Sequence, residues 1–446
     1  TWTRQIFGAA LEPSVPLTVD EWADANRVLT AKSSAEAGPW RTDRTPYWRE
    51  PMRCLSEDHP AQRVVMMVAS QMGKTEVGVN WLGYVMDHIR TPKPMQVVVP
   101  TDKLLSRWVT QRRNPLITST ESLREKVDVT KSRDGTNRVD MLDYPGGILF
   151  LVPAGSGTNL LSDSIRFALL DEVDAFEIIA GRGDPIGMIE SRQNTFLRRK
   201  MLIVSTPTIK GESIIADEYE QSDRRRYHVQ CPHCGEYQVL EWEHLQWDHE
   251  AARVWYVCRH NGCMITEQDK PEMLASGQWR PENPASKVRG YHINALYAPI
   301  GLGYSWADLV RQWLKSANDP DRQRQFTNER LALPYEDAKR AVRSDGLIQR
   351  AEDYRLRTAP PGCLLITAGV DTQDDRLALQ VVGWGRKRRW WVLDWIELQG
   401  DPANDEVWMR LVERLSVPFA NHYGPSIRLS GVAIDMGGHR TNDVKR

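Results

Sequence analysis

The stretch Arg63–Thr75 reads R-V-V-M-M-V-A-S-Q-M-G-K-T. An apolar run of strand length passes into a turn ending Gly73-Lys74-Thr75. Residues of a helix face then follow at Gly78, Trp81, Leu82, Val85 and Ile89. Strand, tight turn and helix in this order commit the chain to an α/β sheet whose loop amides face an anion. Here Ser70, Gln71, Met72 and Gly73 would wrap phosphate oxygens. Lys74 would meet the β/γ charge of a nucleoside triphosphate, and Thr75 would reach its Mg²⁺. The usual loop opens with glycine. This one has Val68 there, giving the deviant form V-A-S-Q-M-G-K-T. A chance G-K-T is the alternative, and the flanking strand and helix weigh against it.

A second apolar strand, Ile165–Leu170, runs into Asp171-Glu172. A strand end places both acids at the lip where parallel sheets bind ligands. Asp171 suits a metal shell and Glu172 suits orienting the attacking water of ATP hydrolysis. Further strands are expected at Met95–Val99, Ile148–Val152 and Lys200–Val204, the last ending in Ser205-Thr206-Pro207-Thr208. Hydroxyls at that strand end can sense the γ-phosphate and relay its loss, although a plain polar turn would look the same. Short apolar strands alternating with helices predict a parallel sheet covered on both faces.

With 446 residues the chain is too long for one ordinary core. Its organisation reads as an N-terminal arm (1–60), an ATPase domain (61–225), a zinc-ribbon and helical region (226–345) and a nuclease-like domain (346–446). Ala359-Pro360-Pro361-Gly362 reads as linker. Helices are expected near Val19–Leu29, Trp306–Ala317 and Asp321–Leu331. No run spans a bilayer and no signal peptide opens the chain. The net charge of −1 gives no overall pull toward nucleic acid, so any such binding must be local. Arg224-Arg225-Arg226 and Arg386-Lys387-Arg388-Arg389 are the basic runs, and a solvated turn is the commoner meaning of each. Trp40, Tyr47 and Trp48 can stack a base beside the ATP site, with core packing the default for at least two of them.

Cys231-x-x-Cys234 and Cys258-x-x-x-x-Cys263 follow the apolar stretches Tyr227–Gln230 and Arg253–Val257. Two such knuckles present four thiolates to one tetrahedral Zn²⁺, a structural site in a reducing compartment. His260 is a substitute ligand, and His233 lies between ligands.

The pattern changes after 362. Three strands, Leu364–Asp371, Leu377–Trp384 and Trp390–Leu398, read as an antiparallel meander. A helix at Asp405–Leu415 and a strand at Gly431–Ile434 follow. This β-β-β-α-β order begins a ribonuclease-H-like nuclease. Its first and fourth strands are neighbours, so Asp371 and Asp435, at their ends, can share Mg²⁺ or Mn²⁺. Glu397 and Asp374 are weaker candidates, and edge-capping acids on an ordinary sheet are the alternative. A third acid is expected past Arg446, which makes this nuclease domain partial.

In this order the motifs resemble the large terminase subunit of tailed bacteriophages, in its lambda-like GpA family. R-T-D-R-T-P-Y at Arg41–Tyr47, F-T-N-E-R-L-A-L-P-Y at Phe326–Tyr335 and I-D-M-G-G-H at Ile434–His439 extend the likeness over nearly the whole chain. The resemblance implies a motor that packages double-stranded DNA and a nuclease that cuts the concatemer. It implies the small terminase subunit and the procapsid portal protein as partners, a homo-oligomer on the portal, and the cytoplasm of the infected bacterium as the place of action. It makes Lys74 and Thr75 the ATP and Mg²⁺ residues, Asp171 and Glu172 the catalytic acids, Ser205–Thr208 the coupling motif, and Asp371 and Asp435 the nuclease acids. The loop has Gln71 and no arginine, so a charge-stabilising arginine must come from Arg192, Arg182 or a neighbouring subunit. A helicase or restriction-type translocase would need a second ATPase-like lobe. A zinc-ribbon DNA-binding scaffold with a degenerate ATP site would show no ATP turnover.

Overall fold

The computed structural model describes residues 16–31, 34–90, 92–129, 138–177, 184–248, 252–317, 319–336, 351–373, 375–435 and 444–445. The chain divides into two compact units, Thr1–Ala341 and Val342–Arg446.

In the first unit, helix α1 (Val19–Asn26) belongs to the arm. The sheet then takes β1 (Arg63–Val68), and α2 (Lys74–Asp87) follows the phosphate loop. Next come β2 (Met95–Val99), β3 (Met141–Tyr144), β4 (Gly147–Pro153) and β5 (Phe167–Asp171). After α3 (Pro185–Arg192) run β6 (Lys200–Ser205), β7 (Arg225–Gln230) and β8 (Tyr237–Val239). β9 (Gln278–Pro281), β10 (Arg289–Ile293) and helix α4 (Pro320–Glu329) complete this set. One ten-stranded sheet has the order β8-β7-β10-β1-β6-β5-β2-β4-β3, with β9 also paired to β7. Its centre is parallel and its margins antiparallel.

The expected strands are present, and the apolar content that marked them is buried: β2, β5 and β6 are buried at every position. The sheet also extends into a region that the sequence reading set apart. β10 pairs in parallel with β1 from Arg289↔Val64 to Ile293↔Val68, directly beside the phosphate-loop strand. Its sequence R-G-Y-H-I carries too little apolar signal to be recognised as a central strand.

Helix α2 is buried nearly all round, not on one face. The arm supplies the second cover. Trp22 packs so closely over Gly83 that a Cβ there would lie 2.2 Å from the indole, and Trp22 Nε1 donates to Asp87 at 2.7 Å. The helix ends at Asp87, leaving Ile89 beyond it.

The second unit holds β11 (Cys363–Thr372), β12 (Arg376–Gly385), β13 (Trp390–Gln399), α5 (Asp405–Ser416) and β14 (Gly431–Ile434). Strand order is β13-β12-β11-β14, with the meander antiparallel and β14 parallel to β11. One face packs a core that includes Val407 and Leu411 of α5. Ala359-Pro360-Pro361-Gly362 is not a linker here. Thr358–Ala359 pairs with Ala420–Asn421, Ala359 is fully buried, and Arg357 is 2.8 Å from Asp394. The prolines and glycine turn the chain into β11, with Gly362 at φ 93°.

Candidate functional sites

At the end of β1 the chain turns through Gln71 (φ 64°) and Gly73 (φ 84°) into α2. Trp48 holds this turn by donating its indole N–H to the Met72 carbonyl at 3.0 Å. Tyr47 and Trp48 are fully buried, as expected of core residues, while Trp40 is 8% exposed. All three line a cavity of about 400 Å³ shared with Gln71, Met72 and Gly73.

Lys74 is buried and lies 3.0 Å from Glu172 Oε1, with Thr206 Oγ1 as a second partner. Thr75 Oγ1 donates to Asp171 Oδ1 at 3.3 Å. The loop and the β5 acids therefore meet in space, as the sheet order β1-β6-β5 requires. Glu172 sits at φ 62°, a conformation a non-glycine residue takes only when its surroundings impose it. Its N–H still donates to Val204 at 2.8 Å, so the strand holds the backbone while the carboxylate faces the lysine. Burial, then the neighbouring Glu172, pushes Asp171 up to about 6. A buried carboxylate opposed by another acid is a fitting ligand for a divalent cation, whose charge would restore its ionised form.

The segment Ser205–Thr208 lies in the same network. Thr206 Oγ1 donates to Val68 at 3.0 Å, Ser205 Oγ accepts from the Asp174 N–H at 3.2 Å, and Thr208 Oγ1 donates to Asp174 at 2.8 Å. One further element was not legible in the sequence. The Ser70 N–H of the phosphate loop donates to the Glu329 carbonyl at the end of α4 (2.8 Å), and the Tyr335 N–H donates to Thr208 (2.8 Å). Residues 329–335 thus strap the loop to the Ser205–Thr208 turn. These are backbone bonds, which no residue type announces.

Arg192 does not belong to this lip. Its carbonyl accepts from Ile165 N–H, at the start of the β5 segment, whereas Asp171 closes that strand. Arg182 lies outside the described residues. The run Arg224-Arg225-Arg226 is taken up by acids of the same unit: Arg225 pairs with Glu50 (2.8 Å) and Asp223 (2.7 Å), Arg226 with Glu241 (3.7 Å), and Arg224 with Glu220 on the surface (3.1 Å).

The sulfur atoms of Cys231, Cys234, Cys258 and Cys263 all lie within 4.8 Å of one another, and all are free thiols. Cys234 and Cys258 are 3.7 Å apart, close to the ~3.8 Å edge of a tetrahedron with ~2.3 Å metal–sulfur bonds. Each pair closes a tight knuckle: Gly235 N–H returns to Cys231 and Gly262 N–H to Cys258, both at 2.9 Å. The first knuckle joins β7 and β8 of the large sheet. The second joins Val254–Val257 and Met264–Ile265 of a three-stranded sheet. The four thiols therefore converge from knuckles of two different sheets. His260 is bound to the Tyr237 carbonyl at 3.1 Å and is no ligand, and His233 is exposed outside the set.

In the second unit, Val370 pairs with Ile434, so Asp371 and Asp435 come next, side by side on parallel strands. Asp371 also pairs with Ala378, and Ala378 with Glu397. Asp435, Asp371, Ala378 and Glu397 therefore form one row across the sheet, and all four line one cavity. Both candidate nuclease acids face the same side, with Glu397 beyond Ala378. Asp374 lies outside the described residues. Among the described residues only the cysteines bring three or more ligand atoms within 4.8 Å of one another, so Asp371, Asp435 and Glu397 do not all come that close together. Arg389 of the basic turn pairs with Glu352 at 2.8 Å, while Lys387 and Arg388 take left-handed φ values on the exposed turn.

A phosphate-loop ATPase in one unit and a carboxylate-lined mixed sheet in another is the layout of a two-activity enzyme. The described residues form one ATPase-like parallel sheet, and none of them favours the helicase layout. Residues 34–279 match the family model of the phage terminase large subunit gpA ATPase domain, and residues 288–446 that of the terminase large subunit gpA endonuclease domain. The chain belongs to the gpA family of phage terminase large subunits. It is 26% identical over 453 residues to the terminase large subunit of Escherichia phage lambda, across 95% of this chain and 69% of that one. It is 25% identical over 454 residues to that of Enterobacteria phage P21, again across 95% and 69%. The large terminase of HK97 bacteriophage superposes with a TM-score of 0.49 at 15% identity, covering 92% of this chain and 75% of that one. No helix among the described residues is long and apolar enough to cross a membrane.

Proposed function

We propose that this chain is the motor and nuclease of viral DNA packaging. ATP hydrolysis in the first unit drives double-stranded DNA into a procapsid, and the second unit cuts the concatemer. The observation that carries the reading is the closed set Lys74–Glu172, Thr75–Asp171 and Lys74–Thr206, strapped through Ser70 and Thr208 to residues 329–335. An ATP site wired to the segment that precedes the second unit is what a translocating enzyme needs, and a passive scaffold has no use for it.

In this reading Ser70–Gly73 cradle the phosphates, Lys74 neutralises the β/γ oxygens, and Thr75 and Asp171 would hold Mg²⁺, which screens phosphate charge. Glu172 orients the attacking water and takes its proton. Loss of the γ-phosphate frees Lys74 to exchange partners with Thr206, and the Ser205–Thr208 turn moves the strap. The 400 Å³ cavity beside the loop receives the base, with Trp40 as its aromatic wall. The four cysteines hold one structural Zn²⁺. Asp371 and Asp435, assisted by Glu397, hold Mg²⁺ or Mn²⁺ at the scissile phosphate. The small terminase subunit, the portal protein and further copies of the chain are the partners, in the cytoplasm of the infected host.

The test is phosphate release with and without linear duplex DNA, together with ATP-dependent displacement of a triplex-forming strand from that duplex. Stimulation and displacement are expected. DNA-independent turnover with no displacement would leave an ATPase that is not a motor.

A further inference from the structure

The phosphate loop carries no arginine, Arg192 lies at the opposite end of β5 from Asp171, and Arg182 lies outside the described residues. The structure offers another source. A cavity of about 530 Å³ is walled on one side by Thr206, Pro207 and Thr208 and on the other by helix α4, with Arg322 and Arg324 among its lining residues. Thr206, a partner of Lys74, and Glu329, whose carbonyl accepts from the Ser70 N–H, both line this cavity, so it adjoins the phosphate loop. Arg41 and Arg44 line the other cavity, which includes neither Lys74 nor Thr206.

Three features favour α4 as a donor of charge. Its C-terminal carbonyl is fixed to the phosphate loop by the Ser70–Glu329 bond, so the helix keeps its distance from the phosphates. Arg324 lies five residues before Glu329, about 7.5 Å along the axis at ~1.5 Å per residue. It pairs with Asp321 at 3.0 Å in an exposed i,i+3 pair of the kind that contributes little and is readily exchanged for phosphate. One turn on, at i+4, Asn328 lines the same cavity and has a buried amide oxygen with no hydrogen-bond partner among the described residues. Such an acceptor fits a site completed by a bound polar group such as water. Arg322 is more exposed than Arg324, 62% against 45% of the side chain, and lies further from the loop.

We propose that Arg324 is the catalytic arginine, acting on ATP bound by its own chain. This rests on the ATPase reading above. As water oxygen bonds to the γ-phosphorus, the bond from that phosphorus to the ADP oxygen breaks. The water's proton passes to Glu172 and is released to solvent. Arg324 gains and loses no proton; its guanidinium neutralises the oxygens of the transferring group.

The experiment compares wild type, Arg324→Ala, Arg324→Lys and Arg322→Ala for phosphate release, ADP binding and binding of ADP with fluoroaluminate. Circular dichroism verifies the fold. Arg324→Ala should release phosphate at least about 100-fold more slowly and lose fluoroaluminate capture, yet bind ADP within about threefold of wild type. Arg324→Lys should recover part of the fluoroaluminate capture. Turnover within about threefold of wild type in Arg324→Ala, retained fluoroaluminate capture, or a loss confined to Arg322→Ala would each overturn the assignment. Restored turnover on mixing Arg324→Ala with Lys74→Ala would place the arginine in trans and overturn the own-chain claim. Wild type that neither hydrolyses ATP nor captures fluoroaluminate would instead refute the ATPase reading itself.

Discussion

The two sites are built by opposite means. At the ATP lip, groups far apart in sequence are drawn into a network: Lys74 and Asp171 are buried, Lys74 bonds to Glu172 and Thr206, and Thr75 bonds to Asp171. In the second unit the acids are aligned by strand register and lie exposed on an open sheet face. The first arrangement is held by its own side-chain bonds. The second leaves the final approach to the metal, whose positive charge must offset the repulsion between carboxylates. Mutations should therefore separate cleanly between the two.

The largest effect is expected at Lys74. Lys74→Ala should lower phosphate release by about 10³-fold or more, because Lys74 is the buried cation of the phosphate loop itself. The fold should survive, since the lysine's partner Glu172 is 45% exposed and can be solvated alone. Turnover within tenfold of wild type would break the comparison at its stronger end. Next, Glu172→Gln should slow turnover by about 10²–10⁴-fold while ATP binding persists, a split visible in equilibrium binding against steady-state rates. In the second unit Asp371→Ala should reduce plasmid nicking to about 1% or less in Mg²⁺ or Mn²⁺, with ATP turnover unchanged. Nicking that persists without Asp371 would show that the carboxylate row is only an edge cap.

Smaller effects concern the framework. The freshly purified chain should contain one zinc, measured by elemental analysis, and Cys258→Ser should lose it. Because the thiols converge from two sheets, metal removal should raise hydrogen exchange first in the two knuckles. Metal-free protein with unchanged exchange would remove the ion from the account. The smallest effect is a pH dependence. His292 is buried beside β1 and donates to the Ala332 carbonyl at 3.0 Å; burial, then Arg226, pushes it down to about 3. The unfolded chain takes up that proton near pH ~6.5, so the folded state loses stability as pH falls from there toward ~3, at no more than about 1.4 kcal/mol per pH unit. Denaturation midpoints should fall between pH 7 and pH 5, and His292→Gln should flatten that fall. An equal slope in the variant would assign it elsewhere.

Much of this was legible in the sequence because it is local. The apolar runs ending at Val68, Leu170 and Val204 marked strands whose ends carry the residues proposed to bind ATP, and the cysteine spacing marked the two knuckles whose four thiols converge. The β-β-β-α-β order placed Asp371 beside Asp435. What stayed hidden depends on long-range packing. β10 is central because β1 and β7 flank it, not because R-G-Y-H-I is apolar. The strap through Glu329 and Tyr335 uses backbone groups that every residue carries. Ala359–Gly362 has the composition of a linker, yet Ala359 is held by pairing with the Phe419–Asn421 strand, which no local pattern reports. Arg192 looked suitable by sequence proximity to Glu172, but α3 runs back across the sheet and leaves it at the far edge.

The central claim is that one chain carries two separable catalytic sites, an ATP lip held by its own bonds and a metal-completed nuclease row. Phosphate release and plasmid nicking, measured side by side on wild type, Lys74→Ala and Asp371→Ala with DNA and divalent metal present, test it most directly. The account expects a double dissociation: Lys74→Ala loses phosphate release and still nicks, whereas Asp371→Ala stops nicking and still releases phosphate. Loss of both activities in either folded variant would contradict it.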